Sequence, residues 1–281
     1  MFEIGISTTG KKIDEALFHT LAEGGIKYVE VSMGSEDYKV FDFKAARKWA
    51  DNAGVNLWTF HLPFKPFNEL DISSADTKMR HDSVDYTSEL IKKAADVGFD
   101  KFVVHSGGIT KRLTQEEVDT RLNCACESYA ALAEIAAQAG GTVLVENLPP
   151  VCVGKDIAEV EKLISADPRL RVCFDSNHFL PGDPAEYVRY FRDKIASVHI
   201  SDYDHINERH WLPGEGKNNW QDIYSALCEV GYKGPWLYEI AFVSLPTLTR
   251  ERDLTCADFV RNAHEIFENK PLTVIPGTIN V

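Results

Sequence analysis

Five short apolar runs in this chain each carry, at their end, a residue type that binds metal ions or transfers protons. They are VVHSGG with His105, VLVENLP with Glu146, RVCFDSNH with Asp175, SVHISD with His199 and LYEIA with Glu239. Side chains alternate along a strand, so each of the last four points to the same side as the residue two positions earlier. If these runs are strands of one barrel, their polar ends converge. Buried ionised groups need a partner of opposite charge, and a divalent cation is the simplest one.

The predicted metal ligands are therefore Glu146, Asp175, His199 and Glu239. A single Glu at the end of a strand is usually a solvated residue, whereas four such residues on successive strands favour one shared site. Carboxylates with one imidazole suit Mn²⁺, Mg²⁺, Co²⁺ or Zn²⁺ and do not select among them.

Further histidines accompany this set. They are His61 in LWTFHLPF, His105, His178 in a D-x-x-H pattern, and His210 with Glu208 in NERHWLPGEG. A structural hydrogen bond or a substrate contact explains each one alone at least as well as metal binding does. Together they could complete a second or third metal site, and the residues themselves leave these interpretations open.

Two more acidic residues are candidates for the site. The tight turn Pro213–Gly216 has amides that could hold Glu215 or a substrate oxygen, although it could also be a plain loop before the next helix. We treat Glu215 as a substrate-binding candidate. Glu30 in YVEVSM is predicted to point inward by its alternation with Tyr28 and Ser32, and hydrogen bonding in a barrel core would explain it.

Short apolar strands alternate with amphipathic helical segments along the whole chain. Strands are predicted near 3–7, 27–32, 55–61, 101–105, 142–147, 171–175, 196–200 and 236–240, and helices near 11–24, 42–53, 76–98, 114–139, 156–165, 184–194, 219–230 and 251–268. Eight such units without a linker predict an α/β fold, a single (β/α)8 TIM barrel in one domain over residues 1–281. A Rossmann-type fold is disfavoured because no GxGxxG follows the first strand.

The composition narrows the class of protein. With 281 residues, 44% of them hydrophobic, the chain can bury a sizeable core. The net charge of −13 disfavours nucleic acid or an anionic membrane as a partner. Six cysteines without a CxxC pair, and a start without a signal-peptide pattern, lead us to expect a cytoplasmic protein with no membrane span. The apolar tail, residues 271–281, is expected to pack on the barrel or on a neighbouring subunit, which leaves a homo-oligomer open.

The segments VENLP, FDSNH, VHISD, RHWLPGEG and LYE, in this order, resemble the xylose isomerase-like TIM-barrel superfamily of sugar isomerases and epimerases, which also contains endonuclease IV. The resemblance covers nearly the whole chain. It implies that Glu146, Asp175, His199 and Glu239 are the shared metal ligands. It also implies that His178 contacts substrate, as in the epimerases, or binds a further zinc ion, as in the nuclease.

The sequence departs from these relatives at two positions. His61, His105, Glu208 and His210 match positions of the nuclease's additional zinc ligands, but Glu208 stands where that family has Asp. This departure weakens the prediction of a trinuclear site. Ketose 3-epimerases carry a Glu six residues beyond the first metal-binding Glu, and that position is Cys152 here. The chain therefore differs from a standard member of that subgroup.

The leading hypothesis is a metal-dependent isomerase or epimerase of a sugar or polyol-derived ketone. Such an enzyme removes a proton next to a carbonyl, and the metal stabilises the developing negative charge. Glu146 and Glu239, on nonadjacent strands, are predicted to act as bases on opposite faces of the substrate. Trp211, Phe64 and Phe67 could stack on a sugar ring. The segment AFVSLP lacks glycine, which favours a substrate without phosphate, although Ser106–Gly108 could hold an anion.

Three alternatives remain open at the sequence level. A dehydratase of the inosose or dehydroshikimate type would use the same metal-enolate chemistry. A zinc phosphodiesterase acting on abasic DNA, as in endonuclease IV, would use the extra histidines, but the loops GSEDYK and PFKPFNELDISS are not markedly basic. The third alternative is a noncatalytic binding protein built on the same barrel.

Overall fold

A computed structural model describes residues 1–108, 113–178 and 182–280. Eight parallel strands form one sheet: β1 (Ile4–Ser7), β2 (Tyr28–Val31), β3 (Asn56–His61), β4 (Lys101–Val104), β5 (Thr142–Glu146), β6 (Arg171–Asp175), β7 (Ile195–His199) and β8 (Trp236–Tyr238). Their order is β7-β6-β5-β4-β3-β2-β1-β8. A parallel bridge between Ile200 and Tyr238 joins the two outer strands. The sheet therefore closes, and the predicted (β/α)8 barrel is confirmed.

Helices follow the strands and cover the outside of the barrel. They are α1 (Glu15–Glu23), α2 (Phe43–Ala53), α3 (Thr77–Ala95), α4 (Gln115–Gln138), α5 (Ile157–Ile164), α6 (Pro184–Phe191), α7 (Trp220–Glu229) and α8 (Cys256–Phe267). An Asp, Asn or Thr precedes each of these helices, where a short polar side chain can accept a hydrogen bond from a free backbone N–H. Within the described residues, no helix combines the length and apolar character needed to cross a membrane.

The segment around the last helix differs from the sequence-based prediction. The helix predicted from residue 251 begins at Cys256, because residues Leu248–Arg250 form a strand, β9. This strand pairs in antiparallel fashion with β10 (Gly277–Ile279) from the tail. Leu272 of the tail also packs against the hydrophobic core, in agreement with the expectation that the tail packs on the barrel. Its last residue, Val281, lies outside the described range.

The barrel interior confirms the predicted alternation of side chains. Val103, Leu144 and Cys173 form a small buried cluster separate from the main core. Leu144 and Cys173 each lie two residues before a predicted metal ligand, so Glu146 and Asp175 also point into the barrel, at the carboxyl ends of their strands. The core below the site is therefore solid, and the chemistry is confined to one end of the barrel.

Two irregularities in strand pairing set the position of polar residues. The register between β2 and β3 shifts between Val29 and Glu30, and places Glu30 beside Thr59. The register between β6 and β7 shifts after Val172 and places Asp175 beside His199. Such irregularities redirect side chains at the rims of barrels. Here they align polar groups that an undisturbed register would offset by one residue.

Candidate metal centre

The four predicted metal ligands come together at the carboxyl ends of four successive strands. Glu146, Asp175 and His199 are the last residues of β5, β6 and β7, and Glu239 follows β8 directly. Glu146, Asp175 and His199 are completely buried, and Glu239 is 8% exposed. One ligand atom from each of the four lies within 4.8 Å of the corresponding atoms of the others. This is the convergence that the sequence predicted.

The oxygen atoms in this group face one histidine nitrogen. His199 Nδ1 lies 3.0 Å from Glu146 Oε1, 3.7 Å from Glu239 Oε2 and 3.8 Å from Asp175 Oδ2. Asp175 Oδ2 is buried and accepts no hydrogen bond from the described residues, and Glu146 Oε2 faces the ring nitrogens of His61 and His105. Leaving a buried carboxylate oxygen without a hydrogen bond costs free energy. The donor set and the unpaired oxygen of Asp175 fit a divalent cation with mixed oxygen and nitrogen ligands.

Other polar groups hold the ligands in place. His199 Nε2 donates to Glu30 Oε2 at 2.9 Å, and Thr59 Oγ1 donates to the same oxygen at 2.8 Å. The Asn147 side chain accepts from the backbone N–H of Asp175 and donates to its carbonyl, both at 2.8 Å. Metal-binding histidines commonly have the second ring nitrogen fixed by a carboxylate in this manner. His199 therefore presents Nδ1, rather than Nε2, to the other ligands.

A second group consists of His61 and His105 around the other oxygen of Glu146. Their Nε2 atoms lie 3.3 and 3.0 Å from Glu146 Oε2. His61 Nδ1 is 2.8 Å from the carbonyl oxygen of Leu62, which fixes the proton on Nδ1 and leaves Nε2 facing the carboxylate. The ring of Phe64 stacks on His105 with the centroids 4.1 Å apart.

A third group consists of His178, Glu208 and His210. Glu208 Oε1 lies 3.6 Å from His178 Nε2 and 3.0 Å from His210 Nε2. His178 Nδ1 is 3.0 Å from the carbonyl oxygen of Asn147, so this ring too has one nitrogen fixed and the other turned to a carboxylate. The longer side chain of Glu208 thus does not prevent it from reaching both histidines. The structure brings together all five residues that were predicted as substrate contacts or additional ligands.

The protein environment shifts the pKa values of the two glutamates that were predicted as bases in opposite directions. Burial opposes ionisation of Glu146, but His199 and His105 prevail and hold the pKa of its carboxyl well below the usual value. Burial raises the pKa of Glu239, and the nearby carboxylates Asp175 and Glu146 raise it further, while His199 and His210 oppose the shift. Pairs of carboxyl groups with pKa values driven apart are typical of acid and base partners.

These groups open into a cavity of about 540 Å³, within the range of small-molecule sites. Its polar wall contains Glu146, Glu239 and the second and third histidine groups. Its other walls are Thr9, Gly10, Ser32, Met33, Gly34, Phe64, Lys65, Phe67, Leu148, Pro149, Val151 and Cys152. Burial raises the pKa of Cys152 to about 11, so the thiol stays neutral. Phe64 and Phe67 lie where a ring of the substrate could stack on them.

Glu215 and Trp211, the other predicted substrate contacts, lie outside the cavity lining. Both carboxylate oxygens of Glu215 accept hydrogen bonds from Arg250, each at 2.7 Å, and both side chains are buried. The amides of Gly214 and Gly216 donate to Asp202 at 2.9 and 3.0 Å, not to Glu215. Trp211 is 1% exposed and donates from Nε1 to Thr247. This geometry favours a structural role for both residues, and a substrate contact stays a prediction without a contact to support it.

The loop Ser106–Gly108, considered as an anion site, has an acidic neighbour. A Cβ on Gly107 would lie 2.3 Å from Asp71 Oδ1, and one on Gly108 would lie 2.7 Å from Asp71 Oδ2. Arg121 pairs with this carboxylate at 2.6 Å. The loop is thus already packed against the ion pair of Asp71 and Arg121, which disfavours a substrate anion at this position.

Two contacts near the centre were not predicted from the sequence. Glu30 was predicted to point inward and to form hydrogen bonds in the core, but its particular contact with His199 depends on the register shift between β2 and β3. Lys11 donates from Nζ to the carbonyl oxygens of Ser7 and Ile240, both at 2.8 Å. It thereby ties the loop after β1 to the residue that follows Glu239. A lysine in the segment TTGKK has no local signal that distinguishes it from a solvated one.

The sequence matches the family described as the xylose isomerase-like TIM barrel over residues 18–253. The chain belongs to this family. An uncharacterized protein of Methanocaldococcus jannaschii is 24% identical over 233 residues, which cover 81% of this chain and 88% of that protein. Fructoselysine 3-epimerase of Shigella flexneri is 27% identical over 169 residues, covering 57% of this chain and 59% of the epimerase. Another M. jannaschii protein is matched over 60% of its length.

Solved structures share the fold over most of the chain. A D-tagatose 3-epimerase-like protein superposes with a TM-score of 0.80 at 22% identity, covering 95% of this chain and 97% of that protein. AP endonuclease, family 2, from Brucella melitensis superposes with a TM-score of 0.67 at 21% identity, covering 85% and 92%. At these identities the superpositions establish the barrel fold and leave the activity to be argued from the site.

Proposed function

We propose that this protein is a divalent-metal-dependent isomerase or epimerase of a sugar or a polyol-derived ketone. The observation that carries the proposal is the convergence of Glu146, Asp175, His199 and Glu239 at the floor of a ligand-sized cavity, where the buried Asp175 Oδ2 accepts no hydrogen bond from the described residues. Glu146 and Glu239 also line that cavity, whereas Asp175 and His199 are buried beside it. Glu146 and Glu239 can thus contact a substrate, whereas Asp175 and His199 are available only as ligands of the metal.

The chain's own residues supply the proton transfers. When bound, the metal polarises a carbonyl and neutralises charge that develops beside it. Glu239, whose pKa is raised by burial, is the stronger base of the two and is suited to accept a proton from the substrate carbon. Glu146, held ionised by His199 and His105, is suited to exchange a proton on the other face of that carbon. Because β5 and β8 are not adjacent, the two carboxyl groups can address different faces of one carbon.

The names of several similar proteins support a ketose or a ketose derivative as the substrate class. Fructoselysine 3-epimerase of Shigella flexneri aligns over 57% of this chain, and solved structures with the same fold include an L-ribulose 3-epimerase and a D-psicose 3-epimerase studied with D-fructose. A small ketose or ketose derivative is therefore the substrate class that we propose. The apolar residues Phe64, Phe67 and Leu148 in the cavity suit the carbon face of such a molecule.

Incorporation of solvent deuterium tests this function directly. The purified protein, supplied with Mn²⁺, Co²⁺, Mg²⁺ or Zn²⁺, is incubated in D₂O with D-fructose, D-tagatose, D-psicose, inososes and hydroxy-keto acids, and exchange is followed by NMR. We expect metal-dependent exchange at a carbon next to the carbonyl of at least one ketose. Exchange followed by loss of water would instead identify a dehydratase. Absence of exchange in every metal and substrate combination would contradict the proposal.

A second candidate function, phosphodiester cleavage at abasic sites in DNA, is favoured by one specific observation. The described residues contain three groups that could hold a metal ion, and Glu146 belongs to two of them. If these groups held metal ions, the ions could activate a water molecule and neutralise the charge of a phosphate. The net charge of −13 argues against this candidate, because DNA binding depends on cationic contacts to phosphates. Cleavage of an oligonucleotide with one abasic site distinguishes it from the first candidate.

A further inference from the structure

The cavity above the candidate metal centre adjoins a second cavity of similar size. The first measures about 540 Å³ and the second about 490 Å³. Both are lined by Gly10, Met33 and Gly34, which lie in the loops after β1 and β2. Each volume alone falls within the range of small-molecule sites, about 300–1,000 Å³. Two ligand-sized spaces therefore meet at one side of the barrel mouth.

The second cavity differs from the first in its chemistry. Its apolar walls are provided by Ile13, Phe41 and Trp49, which are half-buried, and by Val40, which is 83% exposed. Among the described residues, the groups able to hold a metal ion all lie elsewhere. Lys11, Lys12, Asp37 and Asp42 complete the lining of this cavity. Aromatic walls beside charged and polar groups suit the binding of a ring that also carries polar substituents.

Little side-chain volume separates the two cavities. Gly10 and Gly34 have no side chains, and Gly10 has a φ of +69°, a conformation that other residues rarely adopt. A Cβ on Gly34 would lie 3.1 Å from Asp37 Oδ2, so a larger residue there would crowd the loop. Met33 is the one side chain among the three shared residues, and methionine is flexible enough to move aside. A linked molecule can pass over this boundary.

We propose that the natural substrate is a ketose joined to a second ring, a sugar or an aryl group, which lies in the second cavity against Phe41 and Trp49. The ketose then lies in the first cavity, within reach of Glu146 and Glu239. This inference rests on the proposed isomerase or epimerase function and extends it to the size and shape of the substrate. Binding energy from the second ring would be used to position the reacting carbon.

The test compares simple ketoses with their ring-bearing derivatives. D-fructose, D-tagatose and D-psicose are each assayed for deuterium exchange beside their 1-O-benzyl and 6-O-benzyl ethers, with the corresponding methyl ethers as controls for the linkage. We expect at least one benzyl ether to have a kcat/KM about tenfold above that of its methyl ether. That ratio should fall by about three- to tenfold in Phe41→Ala, the size expected for one aromatic contact. Equal rates for benzyl and methyl ethers would overturn the inference.

Two further variants separate the second cavity from the rest of the site. Met33→Trp fills the boundary and should remove the preference for benzyl over methyl ethers. Because Met33 also borders the first cavity, the variant is judged by this ratio of kcat/KM values and not by its rate with the free ketose. Tyr190→Ala, an exposed aromatic on α6 outside both cavities, should change neither. Because Phe41 packs against Phe43 and Phe60, thermal unfolding of Phe41→Ala is measured first. If that variant does not fold, Met33→Trp alone decides the question, and a preference that survives in Met33→Trp contradicts the inference.

Failure of this inference can be told apart from failure of the proposed function. If no ketose exchanges deuterium, the proposed function fails, and binding of the benzyl ethers is followed by saturation-transfer NMR. Transfer to the aryl protons that is lost in Met33→Trp would still support a ring-binding cavity. Transfer that is absent, or that is unchanged in the variant, would overturn it. If free ketoses exchange and benzyl ethers gain nothing, only the inference about the second ring is lost.

Discussion

Glu30 accepts a hydrogen bond from His199 Nε2 at 2.9 Å, across the barrel from β7 to β2. Both side chains are completely buried. The contact leaves His199 Nδ1 to face Glu146, Asp175 and Glu239. A residue that touches neither the cavity nor the other three ligands thus decides which nitrogen the centre receives.

Glu30→Gln should weaken metal binding without removing a ligand. A neutral amide oxygen accepts a weaker hydrogen bond from the ring than a carboxylate does, and changes of this kind typically cost about 10–100-fold in metal affinity. Metal affinity is measured by competition with a chelating dye. Thr59→Val, which removes only the neutral donor to Glu30, is the matched control and should have a smaller effect. Equal affinities of the wild type and Glu30→Gln would show that Glu30 does not position His199.

Glu239→Gln should retain the fold and lose proton exchange at the substrate carbon. The amide oxygen can still coordinate a cation but cannot accept a proton, and loss of a general base typically lowers the rate by about 10²–10⁴-fold. Deuterium incorporation is measured alongside metal content, so that loss of metal is recognised. Glu208→Gln, on the same cavity wall, serves as the comparison. Exchange that survives in Glu239→Gln would remove Glu239 from the catalytic role.

His105→Ala should leave the number of bound ions unchanged and raise KM. In His61, His178 and His199, a hydrogen bond to one ring nitrogen fixes the orientation of the ring. Nδ1 of His105 forms no such hydrogen bond within the described residues. We therefore assign His105 to substrate binding. Ion content per chain is measured on protein prepared without chelator, with His210→Ala in parallel. A fall from about three ions to two, with cleavage of abasic-site DNA by the wild type, would favour the phosphodiesterase instead.

The metal-free protein should lose stability as the pH rises from about 6.5 to 9. Burial lowers the pKa of His61 and of His210, but Glu146 and Glu208 outweigh it and raise these values to about 8 and about 9. A histidine whose pKa is higher in the folded state stabilises the fold fully below its unfolded pKa of about 6.5, and this contribution is lost as the pH passes the folded value. Thermal unfolding of chelator-treated protein should show the decline, and His210→Asn should reduce it. A melting temperature that rises over this interval would contradict the expectation.

Glu215→Gln should destabilise the fold strongly and leave KM of the folded protein unchanged. Arg250 is buried with its guanidinium on both oxygens of Glu215, and removing one partner of such a pair costs roughly 3–5 kcal/mol. Urea unfolding measures the loss. The double variant Glu215→Gln with Arg250→Met should recover part of it, because no unpaired charge remains. A raised KM with unchanged stability would instead restore Glu215 as a substrate contact.

The sequence could predict the features that depend on local periodicity. Strand ends carrying Glu146, Asp175, His199 and Glu239 follow from apolar runs and alternation, and the closed barrel follows from eight repeats of the same unit. The sequence could not predict contacts that depend on register across the sheet. The pairing of Glu30 with Thr59 requires a one-residue irregularity that leaves no mark in the residues around it.

The sequence also could not predict which of several polar groups would become the hydrogen-bond partner of a given residue. The turn Pro213–Gly216 was expected to offer its amides to Glu215 or to a substrate oxygen. The amides of Gly214 and Gly216 bind Asp202 instead, which lies 12 and 14 residues earlier in the chain. Glu215 was free to be a substrate contact until Arg250, 35 residues away, was placed beside it. In both cases the local pattern identified a capacity for hydrogen bonding, and only the tertiary structure determined which partner uses it.

Glu146 turns its two carboxylate oxygens toward different histidines: Oε1 toward His199, and Oε2 toward His61 and His105. Replacing Glu146 would therefore disturb both groups together. His61 and His105 belong to one group only. Substitutions at these two positions can alter the substrate side of the site while the ligands on β6, β7 and β8 stay as they are. Substrate preference is thus an evolvable property of this barrel, separable from its metal centre.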